Sequence, residues 1–351
     1  MDSLYLAWRY LSFYKARSLV LICCITIIAA LPLVLETLVD ESERQLSIRA
    51  QSSPLLIGAK GSSLDLVMNS LYFSDEQPEQ ITMEAVDQVL ESGLAAPIPL
   101  LIRYRARTFP VVGTTIDYFD FRQLETEEGQ MFSLLGQCVL GAEAARTLKL
   151  STGDTIISSP EAIFDIAGVY PLKMTIAGVL RESNSADDRA VFVDIKTAWI
   201  IGGLGHGHTD VTKSADDSVI LKRDGANVTA NAKLMQYQEI TEDNIDSFHL
   251  HGNPANFPIT AVLAVPMDDK SATILQGRYL DTDTPYQIVR PMEVIDALLA
   301  TIFRIRTVLD GIILLVGFVT LLALVLVFAL SLRLREKEIE TIFKLGASRS
   351  T

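Results

Sequence analysis

Three cysteines, four histidines and two tryptophans are all that 351 residues hold of those types. Cys23 and Cys24 lie inside an apolar run. Cys138 stands alone in the region that follows, so no disulfide can form within that region and it must fold on its core. No G-x-x-x-x-G-K-S/T phosphate loop occurs; Gly58 to Ser62 (GAKGS) comes nearest and has the wrong spacing. Without that loop the chain cannot hydrolyse ATP by itself, and any ATPase activity belongs to a separate subunit. No G-x-S-x-G elbow is present and no carboxylate pair is singled out by spacing, so hydrolytic chemistry has no support. Basic residues are also short: 30 Lys and Arg face 43 Asp and Glu, a net charge of −13, which argues against nucleic acid as a partner. The expectation is a protein that is not an enzyme and requires no cofactor.

A mean hydropathy of +0.29 beside that acidity implies segregation. Gly311 to Ser331 is 21 residues without a charge or a polar stripe. At about 1.5 Å per residue this length crosses a hydrocarbon core of about 30 Å. Leu19 to Val39 is a second apolar run, interrupted by Pro32, which kinks a membrane helix without destroying it, and by Glu36, about one turn from its end. A secretory or lipoprotein signal fits this run poorly. It is too long, no small-x-small cleavage site follows, and Leu21 and Ile22 before the cysteines are bulky. Residues 1–18 and 332–351 each carry +2, so the net −13 leaves −17 for the residues between them. The positive-inside rule then puts both termini in the cytoplasm and the acidic middle outside.

Taken in order, residues 1–18 read as an amphipathic cytoplasmic elbow, with Leu4, Trp8, Leu11 and Tyr14 on one side and Arg9, Lys15 and Arg17 suited to lipid headgroups. Residues 19–39 form the first span, and the helix can continue until Pro54 stops it. Residues 40–310 read as the external domain. A strand and a glycine-bearing turn open it, then a polar loop at 74–80. The next segment is a short helix with Met83, Val86, Val89 and Leu90 inward and Gly93 as its stop. Strands follow around Ile102, Tyr104 and Ala106, then at CVLG, TIIS, MTIAGVL and AVFVD, with a helix at AEAARTLKL. A loop over GGLGHGHTDVTKSADD, a strand at SVILK, a helix around ANAKLMQYQEI and strands at NFPITAVLAVPM and PYQIV complete it. Helix returns at PMEVIDALLATIFRIRTVLD and feeds the second span, residues 311–331. The expected fold class is α+β, with two transmembrane helices flanking a large extracytoplasmic α+β domain.

Residues 332–351 then read as a cytoplasmic docking helix. Ile339, Ile342 and Phe343 fall on one face, Leu345 extends it, and Gly346 suits the left-handed residue that ends a helix. A short helix with an apolar face fits a groove on a partner, with Arg335, Glu336, Glu338 and Lys344 steering register.

All four histidines fall in two H-x-H pairs, His206 with His208 and His249 with His251. In extended chain, positions i and i+2 point the same way, so each pair offers two imidazoles to one ion, and convergence of the pairs would make a zinc- or copper-type site. The alternative is four solvent-facing rings in polar loops.

Three blocks together resemble the MacB/FtsX/LolC-type permeases of ABC transporters, the mechanotransmission class. VVGTTIDYFDFRQLETEEGQMF with CVLGAEAARTLKLSTGDTI, and MTIAGVL with AVFVDIKTAW, look like the MacB-type periplasmic core. The second span with REKEIETIFKLGAS is similar to the start of the permease domain and its coupling helix. The resemblance implies a multi-pass bacterial inner-membrane protein, an ABC ATPase subunit docked on the coupling helix, a second permease subunit of identical or related sequence, membrane lipid around the spans, and a periplasmic client. It also implies two further spans; with the sequence ending at Thr351, a chain shortened after the coupling helix is expected. The histidines have no counterpart in that family. They support the rival reading of a membrane-anchored metal-binding sensor, and a regulator of an envelope enzyme is a third reading.

Overall fold

Strands covered on both faces carry unbroken apolar runs rather than strict alternation. Leu55 to Ile57, Leu100 to Ile102 and Val191 to Val193 are such runs, and all nine side chains are buried. The computed structural model describes Tyr5, Trp8, Arg9, Ser12, Phe13 and residues 15–159, 171–207, 220–224, 227–230, 238–241, 244–250, 252–280, 284–334 and 336–344. Its contacts divide the chain into two units, Ser47–Asp296 and Met1–Leu46 with Ala297–Thr351.

In the Ser47–Asp296 unit, eleven of the described strands join one mixed sheet. Its main path runs Gln238–Glu239, Leu172–Leu180, Gln137–Leu140, Val191–Asp194, Phe109–Thr114, Ala95–Ala106, Ala261–Pro266, Leu55–Ala59 and Tyr286–Val289. Pairing is parallel where Leu172–Leu180 meets its two neighbours on that path and where Val191–Asp194 meets Phe109–Thr114; elsewhere it is antiparallel. Alternation then splits the core between two faces. Val191 and Val193 join Ala144, Ala198 and Trp199 in one apolar cluster. Phe192 faces the other way, into rings of Phe73, Tyr118 and Phe119 at centroid distances of 6.2, 5.7 and 5.2 Å.

The helix Glu84–Ser92 ends on Gly93 at φ 65°, as its composition indicates. Ala85 and Val89, one turn apart, are buried, and Met83 and Val86 pack against the core as expected, whereas Leu90, expected inward, is 64% exposed because it lies well round the helix from Ala85 and Val89. Four helices among the described residues had no sequence expectation: Ser63–Tyr72, Asp117–Arg122, Ile195–Ile201 and Asp269–Arg278, the last capped by Asp268 accepting from the Ser271 amide at 2.7 Å. Gly205–Gly207, expected within a loop, is a strand paired with Phe248–Leu250. The helix expected around residues 230–240 falls largely outside the described residues, and at its end Gln238–Glu239 is strand, paired with Leu172 and Lys173.

Two helices among the described residues are long and apolar enough to cross a membrane. One is Lys15–Gln51, which continues through Pro32, and the other is Pro291–Leu334. They span about 55 and 66 Å, well beyond the apolar runs they contain. Both overrun the external ends of the expected spans. The first keeps going for twelve residues past Val39, and the second begins twenty residues before Gly311. Of the expected elbow, Trp8 and Arg9 are helical and exposed, and Leu4, Leu11 and Tyr14 lie outside the described residues.

Candidate functional site

The last turn of the helix Lys15–Gln51 holds a charge that the core surrounds. Arg49 is 7% exposed. Its guanidinium donates two bonds to the Asp187 carboxylate, at 2.6 and 2.9 Å, a bidentate match of two planar groups. Nη2 also donates to the Tyr118 hydroxyl at 2.9 Å, and Nε donates to the Leu71 carbonyl. The Tyr118 hydroxyl in turn donates to Asp187 Oδ1 at 2.7 Å, and Ser185 Oγ donates to Oδ2 at 2.9 Å. The guanidinium sits 5.2 Å from the centre of the Phe73 ring. Nη1 also reaches Ser185 Oγ at 3.5 Å, so each guanidinium nitrogen has an acceptor in this enclosed site.

A second arginine closes the turn after the helix. Arg122 donates to the hydroxyls of Ser52 and Ser53 at 2.9 and 2.7 Å, and both hydroxyls donate to the Arg49 carbonyl at the helix terminus. Electrostatics follow from this enclosure. Burial would raise the Asp187 carboxyl, but the Arg49 charge and its hydrogen bonds outweigh burial and hold it below the usual carboxylate range. Burial pushes the Tyr118 hydroxyl well up and lowers Arg122. Tyr118 therefore stays a neutral donor at any physiological pH. What the arrangement does is fasten. It ties one helix end to Tyr118, to Asp187 and to the Leu71 carbonyl of the helix Ser63–Tyr72 in the same unit.

The other unit has its own polar node. Arg306, on the helix Pro291–Leu334, reaches Glu36 at 3.1 Å and Asp40 at 3.5 Å on the helix Lys15–Gln51, with Asp310 of its own helix at 3.8 Å. A cleft of about 550 Å³ opens beside it, with Pro32 and Gly317 in its wall. Glu36, which interrupts the first apolar run, thus has a partner on the second long helix.

Within the segment expected to dock, the backbone from Glu336 to Lys344 is helical. Glu336 is exposed, and Lys344 pairs with Glu340 at 3.1 Å. Ile339, Ile342, Phe343 and Glu338 have helical backbone, while their side chains, and all of Arg335, Leu345 and Gly346, lie outside the described residues. Of the histidines, His206 and His249 are brought together as register partners in one two-stranded ribbon; His208 and His251 lie outside the described residues.

Arg49, Tyr118, Asp187 and Arg306 were missed by sequence reasoning. One signal was available: Ser185 to Asp188 is S-x-x-D, and it forms a capping box on the 3-10 turn Ala186–Arg189. That box orders the turn which presents Asp187. Nothing in the sequence pairs it with Arg49, 138 positions away.

Comparison with known proteins follows the geometry. No curated protein sequence matches the chain. Among solved structures, the periplasmic region of MacB from Actinobacillus actinomycetemcomitans aligns at 11% identity, over 70% of this chain and 92% of that one, with a TM-score of 0.38. The extracellular domain of the noncanonic ABC-type transporter YknZ from Gram-positive bacteria aligns at 12% identity, over 67% and 98%, with a TM-score of 0.36. A family model matches residues 19–237, well over half of the sequence, and by that match the chain belongs to the MacB-like periplasmic core domain family.

Proposed function

We propose that this chain is a permease subunit of an ABC transporter that works by mechanotransmission. One observation carries the reading: the helix Pro291–Leu334 runs unbroken through the apolar stretch, and helical backbone is described again over the amphipathic segment Glu336–Lys344. A continuous helix resists compression along its axis because each turn is hydrogen-bonded to the next. A displacement applied at its lower end is therefore delivered at its upper end. The basic flanks put both termini in the cytoplasm, where a separate ATPase subunit docks on Glu336–Lys344 through the face of Ile339, Ile342 and Phe343. ATP-driven closure of that subunit pulls the short helix, and the long helices carry the stroke to the external domain. A second permease subunit, identical or related, supplies the other half of the assembly. The external domain acts on an envelope client in the periplasm, and the spans need not conduct it.

The test is co-purification of the full chain with the ATPase encoded in an adjoining reading frame. Replacing Ile339 and Phe343 together by Asp is expected to abolish recovery of the ATPase while leaving urea unfolding of the external domain unchanged. Retention equal to that of the parent would refute the docking helix.

A further inference from the structure

On the helix Pro291–Leu334, Arg306, Asp310, Leu314, Gly317 and Leu321 recur at spacings of three and four, so they share one side. The stripe changes character along its length. Arg306 and Asp310 precede the uncharged run that begins at Gly311, and the other three lie within it. Ile313 and Phe318 widen the apolar part, and Pro32 of the helix Lys15–Gln51 completes the lining of the cleft of about 550 Å³. That volume lies within the range of about 300–1,000 Å³ usual for small-molecule sites. From Ile313 to Leu321 the wall runs about 12 Å along the helix axis, close to one leaflet's share of a hydrocarbon core about 30 Å thick. Leu314, Phe318 and Leu321 are 76%, 62% and 60% exposed, so the described residues leave this wall uncovered.

The charges gather at one end of the cleft. Arg306 Nη2 reaches Glu36 Oε1 at 3.1 Å, Nη1 reaches Asp40 Oδ1 at 3.5 Å, and Nε reaches Asp310 Oδ2 at 3.8 Å. One guanidinium thus faces three carboxylates, a surplus of two acidic groups. An acidic surplus at the mouth of an apolar cleft suits an amphiphile with a cationic head. A primary ammonium matches it in chemistry as well as in charge, because its three N–H donors meet carboxylates that only accept. A quaternary ammonium brings the same charge and no donor.

We propose that this cleft holds one membrane phospholipid whose headgroup ends in a primary ammonium, with phosphatidylethanolamine as the probe. The ammonium sits on Glu36 and Asp310, which both line the cleft, and one acyl chain lies along Gly317 and Leu321. The phosphate beside the ammonium meets Arg306, the cation in the lining, through N–H donors that the carboxylates leave over. The proposal rests on the two long helices crossing a membrane and is independent of ATPase docking, which its failure would leave untouched.

The experiment is native mass spectrometry of the full chain, stripped of lipid by detergent exchange and returned to micelles holding equal amounts of phosphatidylethanolamine, phosphatidylcholine and phosphatidylglycerol with the same acyl chains. The expected result is one phosphatidylethanolamine retained per chain, in preference to each of the others by about tenfold, the ratio that one charge-assisted hydrogen bond supplies. Glu36→Gln/Asp310→Asn leaves Arg306 balanced by Asp40 alone and is expected to erase the preference. Gly317→Leu keeps every charge but fills the cleft wall, and is expected to lose the lipid. The same change at Gly311, where an added Cβ meets nothing within 4 Å, is expected to keep it. Equal retention of the three lipids, a preference for phosphatidylglycerol, or phosphatidylethanolamine retained through both the charge and the Gly317 changes would each overturn the proposal. So would a lipid-free dimer, in which a second copy of the chain covers the cleft.

Discussion

Replacing Asp187 with alanine would strand a guanidinium that the core encloses. Arg49 is 7% exposed, and Asp187 supplies two of its bonds, at 2.6 and 2.9 Å. Breaking a buried pair from one side costs about 3–5 kcal/mol, because the remaining charge keeps its desolvation penalty and loses its partner. Tyr118 also loses the acceptor of its 2.7 Å bond, worth about 1 kcal/mol. A total of about 4–6 kcal/mol is a large part of the roughly 5–15 kcal/mol that holds a domain folded. With a denaturant slope of about 2 kcal/mol per molar, the urea midpoint falls by about 2–3 M. The assay is urea unfolding of the full chain in micelles, read by the fluorescence of buried Trp199 after Trp8→Phe removes the other indole. The Arg49→Met/Asp187→Leu pair removes both charges at once and is expected to lose less than the two single variants summed, by about 2 kcal/mol or more. Additive losses, or a loss under about 1 kcal/mol for Asp187→Ala, would refute the reasoning, since uncoupled or solvated charges behave in that way.

The same carboxylate sets an acid limit. A group whose folded pKa lies below its ordinary value contributes stability that is present above that ordinary value and lost as pH falls through the folded one. The stability contributed by Asp187 is therefore complete at pH 7 and declines below the usual 3.8, and Asp187→Asn is expected to flatten the acid limb of the stability–pH curve. In the other unit, Arg306→Glu sets a like charge against Glu36 and Asp40, and its melting temperature in micelles is expected to drop. The swap Arg306→Glu/Glu36→Arg restores one attractive pair, worth about 1 kcal/mol at a partly exposed position; no recovery would show that the pair does not join the helices.

Much of the architecture was legible along the chain. The 21 uncharged residues from Gly311 to Ser331 leave a long helix as the one arrangement that satisfies their backbone in lipid. Gly93 stopped its helix, Pro54 bounded another, and Ile102, Tyr104 and Ala106 are buried in their strand. The blocks that resemble a MacB-type core, between Val111 and Trp199, fall within residues 19–237, which that family's model matches. Less legible were short helices such as Asp117–Arg122, one and a half turns long, where periodicity has no room to repeat. Gly205–Gly207 was hidden for a different reason: glycine-rich composition speaks for a loop, and its pairing with Phe248–Leu250 is a long-range event.

By itself the sequence determined what local physics controls: where the chain is apolar enough to enter a bilayer, where helices stop, which flank is basic, and that a large acidic region must fold without disulfides. Tertiary structure alone decided the partnerships. Arg49 with Asp187, Arg306 with Glu36, and His206 with His249 join positions far apart in the chain. A charge or an imidazole carries no signal of its partner until the backbone has closed the loop between them, because the interaction falls off with distance in space and not with separation along the chain.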